Sequence, residues 1–173
     1  MIQNTDCIEF REGFAMAKAV GFCGAGGAAF SSDRMDWTTP QAFYDELNEE
    51  FAFDLDVCAS AENAKCADYF DKERDALKQS WGGRRCFMNQ PYGRELGKFV
   101  AKARYEAEHH GALVVCLIPA RTDTSYWHDH IFGCATEIRF IRGRLKFGDG
   151  KNSAPFPSAV VVFDGTQAKE DEE

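Results

Sequence analysis

Leu113-Val114-Val115-Cys116-Leu117-Ile118 is an unbroken run of six apolar residues. Its β-branched members favour an extended chain, and the run is short for a helix. A strand with no polar position has both faces covered, as central strands of a largely parallel sheet do. Just upstream, Arg94 to His109 places Leu96, Phe99, Val100, Ala103 and Ala107 at helical spacing. Before that helix, Arg85-Cys86-Phe87-Met88 reads as a strand ending at Asn89. Further upstream, Pro40 opens a helix through Phe43, Leu47 and Phe51, with Thr39 or Thr38 as its cap. Phe51 to Val57 alternates as a strand does, Ala61 to Cys66 reads as a short helical turn, and Ala67-Asp68-Tyr69-Phe70 as a short strand. Downstream, Glu137 to Ile141 and Ser158 to Phe163 are strands separated by a polar stretch. Strands alternating with helices predict an α/β fold with a mostly parallel sheet and an antiparallel edge. Ligands bind such sheets at the carboxyl ends of the strands.

The 173 residues suit one domain with one core. Residues 1–32 read as a separate N-terminal extension: a helix around Glu9 to Val20, then the linker-like Gly21 to Ala29. Residues 33–168 hold the main domain, and residues 169–173 an acidic tail. No apolar run is long enough to cross a bilayer, and the N-terminus lacks a signal-peptide pattern. The expected location is the cytoplasm, with no membrane partner. Seven cysteines, an odd number with no two-residue spacing, read as reduced buried thiols rather than metal ligands.

The formal net charge of −8 runs against a polyanionic partner, but its distribution does not. Residues 1–80 carry 16 acidic and 7 basic side chains, whereas residues 81–168 carry 8 acidic and 12 basic. Arg142, Arg144 and Lys146 alternate as along a strand edge, which permits a basic row against phosphates or a solvated edge. Arg121, Trp127 and His128 follow the central strand on its carboxyl side, where they can meet a phosphate or a neighbouring base. The alternative for His128 is an ordinary surface histidine.

Phe87-Met88-Asn89-Gln90-Pro91-Tyr92-Gly93 puts an amide, a rigid turn and an aromatic just after a buried strand. An exocyclic amine conjugated into a ring is a poor nucleophile. Two acceptors drawing on its two N–H groups localise the lone pair. The Asn89 side-chain oxygen and the Gln90 backbone carbonyl are candidates. The Tyr92 ring can stack on a flipped-out base, and no metal is needed. The bland alternative is a turn after a strand.

This segment resembles the Asn-Pro-Pro-Tyr motif of methyltransferases that act on planar amino groups. Trp37-Thr38-Thr39-Pro40, Phe53 to Ser60, Asp75-Ala76-Leu77 with Trp81, Pro119 to Thr124 with Trp127-His128, Arg144-Leu145, Phe147 and Pro155 to Ser158 follow it or precede it in the same order. Together they resemble the phage-type DNA N6-adenine methyltransferases from about Trp37 to Phe163. The resemblance implies a Rossmann-like methyltransferase fold, S-adenosylmethionine as cofactor, double-stranded DNA as partner, and protection of a phage genome from host restriction. It implies that Asn89, Gln90, Pro91 and Tyr92 are catalytic. It implies that Thr38 and Pro40 flank the methionine end of the cofactor, Asp56 and Ala59 its amino-acid portion, Asp71 its ribose and Asp75 its adenine. Gln90 stands where the family has its first proline; the carbonyl is kept and stiffness is lost. The competing readings are a catalytically silent relative that binds DNA or cofactor, and a methyltransferase for RNA amines or protein amides.

Overall fold

A computed structural model describes residues 38–148 and 153–166. The expected helix at Glu9 to Val20, the glycine stretch 21–29, Trp37 and the acidic tail lie outside the described residues.

Helix α1, Gln41–Phe51, buries Tyr44, Leu47 and Phe51, spaced three and four apart, so one stripe faces inward. Pro40 marks its start, and no side chain caps it, which corrects the expectation for Thr38 and Thr39. The helix stops at Ala52, whose φ is 49°, and the Asn48 side chain accepts the N–H of Phe53 at 2.8 Å. Phe51 therefore ends a helix instead of starting a strand. Only Leu55–Asp56 pairs as β1. Strand β2 is Asp68–Tyr69, and β3 is Arg85–Met88, as expected. Between them, Ala76–Lys78 forms one tight 3₁₀ turn.

Helix α2, Leu96–His110, buries Leu96, Val100, Ala103 and Ala107 along one face. It ends at Gly111, whose φ of 65° is a left-handed cap that glycine adopts without steric cost. Strand β4 is Leu113–Pro119, β5 is Glu137–Phe140 and β6 is Ser158–Asp164. A π-helical turn, Trp127–Ile131, lies between β4 and β5.

The six strands form one sheet in the order β2-β1-β3-β4-β6-β5. The β1–β2, β1–β3 and β3–β4 pairs are parallel; β6 runs antiparallel to both β4 and β5. The apolar run of β4 now has its cause. Val114, Cys116 and Ile118 pack with Val100, Ala103 and Trp127 on one face. Leu113, Val115 and Leu117 pack with Tyr44, Leu47 and Phe51 on the other. Each such side chain contributes about 1.5–3 kcal/mol on burial, so a polar residue at any of them would break a layer.

The chain order places β2 on one side of β1 and β3 on the other. A gap therefore opens above the carboxyl ends of β1 and β3, where successive connections diverge.

Candidate active site

That gap is occupied by a cleft of about 910 Å³, within the range of small-molecule sites. Its walls come from the segments that follow β1, β2 and β3, with Thr38 and Thr39 from the start of α1. Of the residues the sequence singled out, Thr38, Asp56, Ala59, Asp71, Asp75, Asn89 and Pro91 line it. Pro40, Gln90 and Tyr92 do not.

Asp56 ends β1 and is 3 % exposed. Its two oxygens accept the backbone N–H of Cys58 at 3.2 Å and of Lys65 at 3.1 Å, so one carboxylate closes the loop from 57 to 65. Burial pushes its pKa up, against these two amides and the Lys65 charge, which lower it. The N–H of Ala59 bonds the carbonyl of Phe70 at 3.0 Å, tying this loop to the end of β2. Asp71 accepts the N–H of Arg74 at 2.8 Å and so starts the turn that carries Asp75. Asp75 has a φ of 49° and pairs with Lys78 at 2.8 Å; that partner holds its carboxyl below the usual value. Lys65, Glu73, Glu95, Phe70 and Phe99 also line the cleft and were not foreseen. No short motif marks them, because they reach one place only through the loops.

Asn89 lies one residue beyond β3, and its Nδ2 donates to Thr39 Oγ1 at 2.7 Å. Thr39 is 3 % exposed. The sequence offered it as a helix cap and as part of the Trp37-to-Pro40 motif, with cofactor roles given only to its neighbours Thr38 and Pro40. Gln90 is 2 % exposed, and neither its amide nitrogen nor its amide oxygen finds a hydrogen-bond partner among the described residues. The half-buried Tyr92 ring stands edge-on to Phe156 at 5.2 Å and to Phe147 at 6.3 Å. Its hydroxyl lies 3.5 Å from the carbonyl of Leu117, and burial pushes the phenol up.

Trp127 is fully buried, and its indole N–H donates to the carbonyl of Pro119 at 3.3 Å. It is a core residue, which corrects its expected place on a nucleic-acid surface; its neighbours Arg121 and His128 are exposed. The row Arg142, Arg144 and Lys146 is also corrected in form. Strand β5 ends at Phe140, and the three exposed cations sit on the loop that follows. Alternation persists there because Leu145 and Phe147 turn into the second core layer. The loop is stitched to the cleft rim, since the N–H of Gly148 bonds the carbonyl of Thr38 at 3.0 Å. No helix among the described residues is long and apolar enough to cross a membrane.

Residues 28–170 match the family model described as "DNA N-6-adenine-methyltransferase (Dam)". The chain is 32 % identical over 141 residues to a DNA N-6-adenine-methyltransferase of Haemophilus phage HP1, covering 77 % of this chain and 80 % of that protein. It is 33 % identical over 111 residues to a DNA N-6-adenine-methyltransferase of Escherichia phage T1, covering 63 % of this chain but only 45 % of that protein. With the Asn89 turn at the rim of a cleft between β1 and β3, the chain belongs to the DNA N-6-adenine-methyltransferase (Dam) family.

Proposed function

We propose that the protein transfers a methyl group from S-adenosylmethionine to the exocyclic N6 of adenine in DNA. The observation that carries this reading is the position of Asn89. It borders a cleft at the carboxyl ends of β1, β2 and β3 in a chain of this family. The sheet order and the two covered faces support a Rossmann-like fold for the domain spanning residues 33–168.

The cleft suits the cofactor in size and sign. Asp56, Asp71, Glu73, Asp75 and Glu95 face two lysines, Lys65 and Lys72, so negative charge prevails where a cation is to be held. When bound, S-adenosylmethionine supplies a sulfonium methyl group open to displacement by a nitrogen lone pair. In this reading Asp56, with Ala59 beside it, faces the amino-acid end, Thr38 and Pro40 flank the methionine chain, Asp71 takes the ribose hydroxyls, and Asp75 accepts from the adenine amine. Asn89 Oδ1 and the Gln90 carbonyl accept the two N–H groups of the target amine. They draw its lone pair out of the ring and stabilise the positive charge it gains. Water takes the surplus proton. Pro91 stiffens the turn, and Tyr92, held edge-on by Phe156, forms a wall for the flipped base.

Arg121, His128, Arg142, Arg144 and Lys146 give the duplex its phosphate contacts. Such a substrate places the enzyme in the cytoplasm, that of the host cell if a phage carries it. The test is to incubate purified protein with unmethylated duplex DNA, RNA and labelled S-adenosylmethionine, beside an Asn89→Ala control, and to identify the modified nucleoside by mass. N6-methyladenine in DNA that depends on Asn89 is the expected product. Cofactor binding without any product would overturn the catalytic reading.

A further inference from the structure

We propose that Phe140 is a DNA contact of this enzyme: its ring stacks against a base of the bound duplex, beside the phosphate contacts of the loop that follows it. The proposal rests on the reading in which the substrate is duplex DNA with its target amine at Asn89.

An exposed phenylalanine standing alone calls for no explanation. Phe140 has company. It is 61 % exposed, the most open of the large apolar side chains among the described residues. Its ring lies nearly parallel to the indole of Trp127, with 12° between planes and 6.0 Å between centroids. Phe132, also exposed, leans on the same indole at 5.3 Å. Trp127 is a firm support, wholly buried and bonded to the carbonyl of Pro119. The Phe140 ring is therefore held over the indole while most of its surface stays open, as a stacking platform requires.

The sheet sets this ring level with the catalytic turn. Phe140 pairs with Ala159, and Ala159 with Ile118. That row lies two residues beyond the Met88–Cys116 pair, at the level of the turn that starts with Asn89. Strand β5 runs antiparallel to β6, as β6 does to β4, so Phe140 and Asn89 stand on the same edge of the sheet. Three strand spacings separate β3 from β5, about 14 Å, or about four base steps of a duplex. One duplex with its target at Asn89 can meet both residues.

Charge divides that edge. The cleft over β1, β2 and β3 is acidic. Past β3, residues 120–125 and 141–148 bring Arg121, Arg142, Arg144 and Lys146 to the surface against one acid, Asp123. A polyanion is drawn to the half that holds Phe140. A second copy of this chain fits less well. Strand β5 has only four residues, and Arg139 pairs with both Glu137 and Glu50, which blunts the edge. A base face opens to a ring only where the stack is broken. Extruding the target adenine breaks it, and phenylalanine is among the side chains that enter such openings.

Phe140→Leu keeps an apolar cover on Trp127 and removes the ring, whereas Phe140→Tyr keeps the ring. Binding of both to unmethylated duplex DNA is measured by fluorescence anisotropy at several salt concentrations. Methylation kinetics, thermal midpoints and the mass in solution are measured alongside. Phe140→Leu should bind DNA at least about fivefold more weakly, the lower bound for one lost base–aromatic stack. Its slope of log affinity against log salt should match that of wild type, because no charge is removed. KM for S-adenosylmethionine should stay within about twofold. Phe140→Tyr should bind as wild type does. Wild-type affinity in Phe140→Leu would overturn the proposal. Equal weakening in both variants, with both midpoints lowered, would also overturn it and assign Phe140 to packing. A smaller mass in solution for Phe140→Leu would give the ring to a second copy of the chain instead. Wild-type protein that neither binds duplex DNA nor yields N6-methyladenine would sink the reading beneath the proposal, an outcome visible without either variant.

Discussion

The carboxylate of Glu106, only 1 % exposed, accepts the backbone N–H of Trp81 at 2.9 Å and so ties helix α2 to the segment that leads into β3. Lys102 and His110 bond the same group. Burial alone would raise this carboxyl, but the Lys102 ammonium, the Trp81 amide and His110 outweigh it and hold it below the ordinary value of 4.5. A depressed folded pKa means that the stabilisation is complete above the ordinary value and is lost as pH falls through the lower folded one. Glu106→Gln should cost about 2 kcal/mol at neutral pH. The gap to wild type should shrink in urea titrations run below pH 4.5. A gap that stays constant with pH would show that the charge of Glu106 is irrelevant.

Asp56 has the opposite displacement, since burial raises its carboxyl above the usual range. Attraction of a cationic cofactor needs the ionised form, so affinity should decline as pH falls, beginning at a higher pH than an ordinary aspartate would give. Asp56→Asn can accept only one of the two loop amides. It should raise the KM for S-adenosylmethionine by roughly tenfold or more while kcat changes less. Calorimetric titration of the cofactor between mildly acidic and neutral pH checks both statements.

Among the described residues, neither polar atom of the buried Gln90 amide has a hydrogen-bond partner. Gln90→Met has nearly the same volume and no such atoms. It should raise stability by about 1 kcal/mol, seen as a higher thermal midpoint. A lower midpoint would reveal that the amide is satisfied in solution, for example by trapped water.

The loop cations Arg142, Arg144 and Lys146 are exposed and next to the stitch at Thr38. Alanine at any one of them should weaken DNA binding evenly across sequences. It should also lower the slope of log affinity against log salt by about 0.9. Fluorescence anisotropy at several salt concentrations measures this. An unchanged slope would return that residue to the solvated surface.

Long elements were legible because their patterns were strong. Strand β3, helix α2 and strand β4 fall within two residues of their expected bounds. The antiparallel edge was anticipated from two late apolar runs and is seen in β5 and β6. Short elements were not. An alternating pattern from Phe51 to Val57 hides the point where a helix stops, since Phe51 satisfies both the helical spacing of Tyr44 and Leu47 and the strand spacing of Phe53 and Leu55. Within the cleft, Asn89 was singled out by its place just after a buried strand, whereas Asp56 was singled out only by the family resemblance; both line the cleft. Thr39 could not be found that way, because its partner lies fifty residues downstream. Trp127 was misplaced because it follows β4 closely in sequence, while the π-helical turn swings its ring back under the sheet.

The five carboxylates and two lysines around the cleft have a meaning for turnover. On the proposed reaction, a pocket of that sign holds a sulfonium cation better than the neutral thioether left when the methyl group is gone. The same side chains that gather the reactant would loosen the spent molecule, and added salt would narrow the difference. Electrostatics that look merely unsuited to a nucleic-acid enzyme would then work as a ratchet on product release.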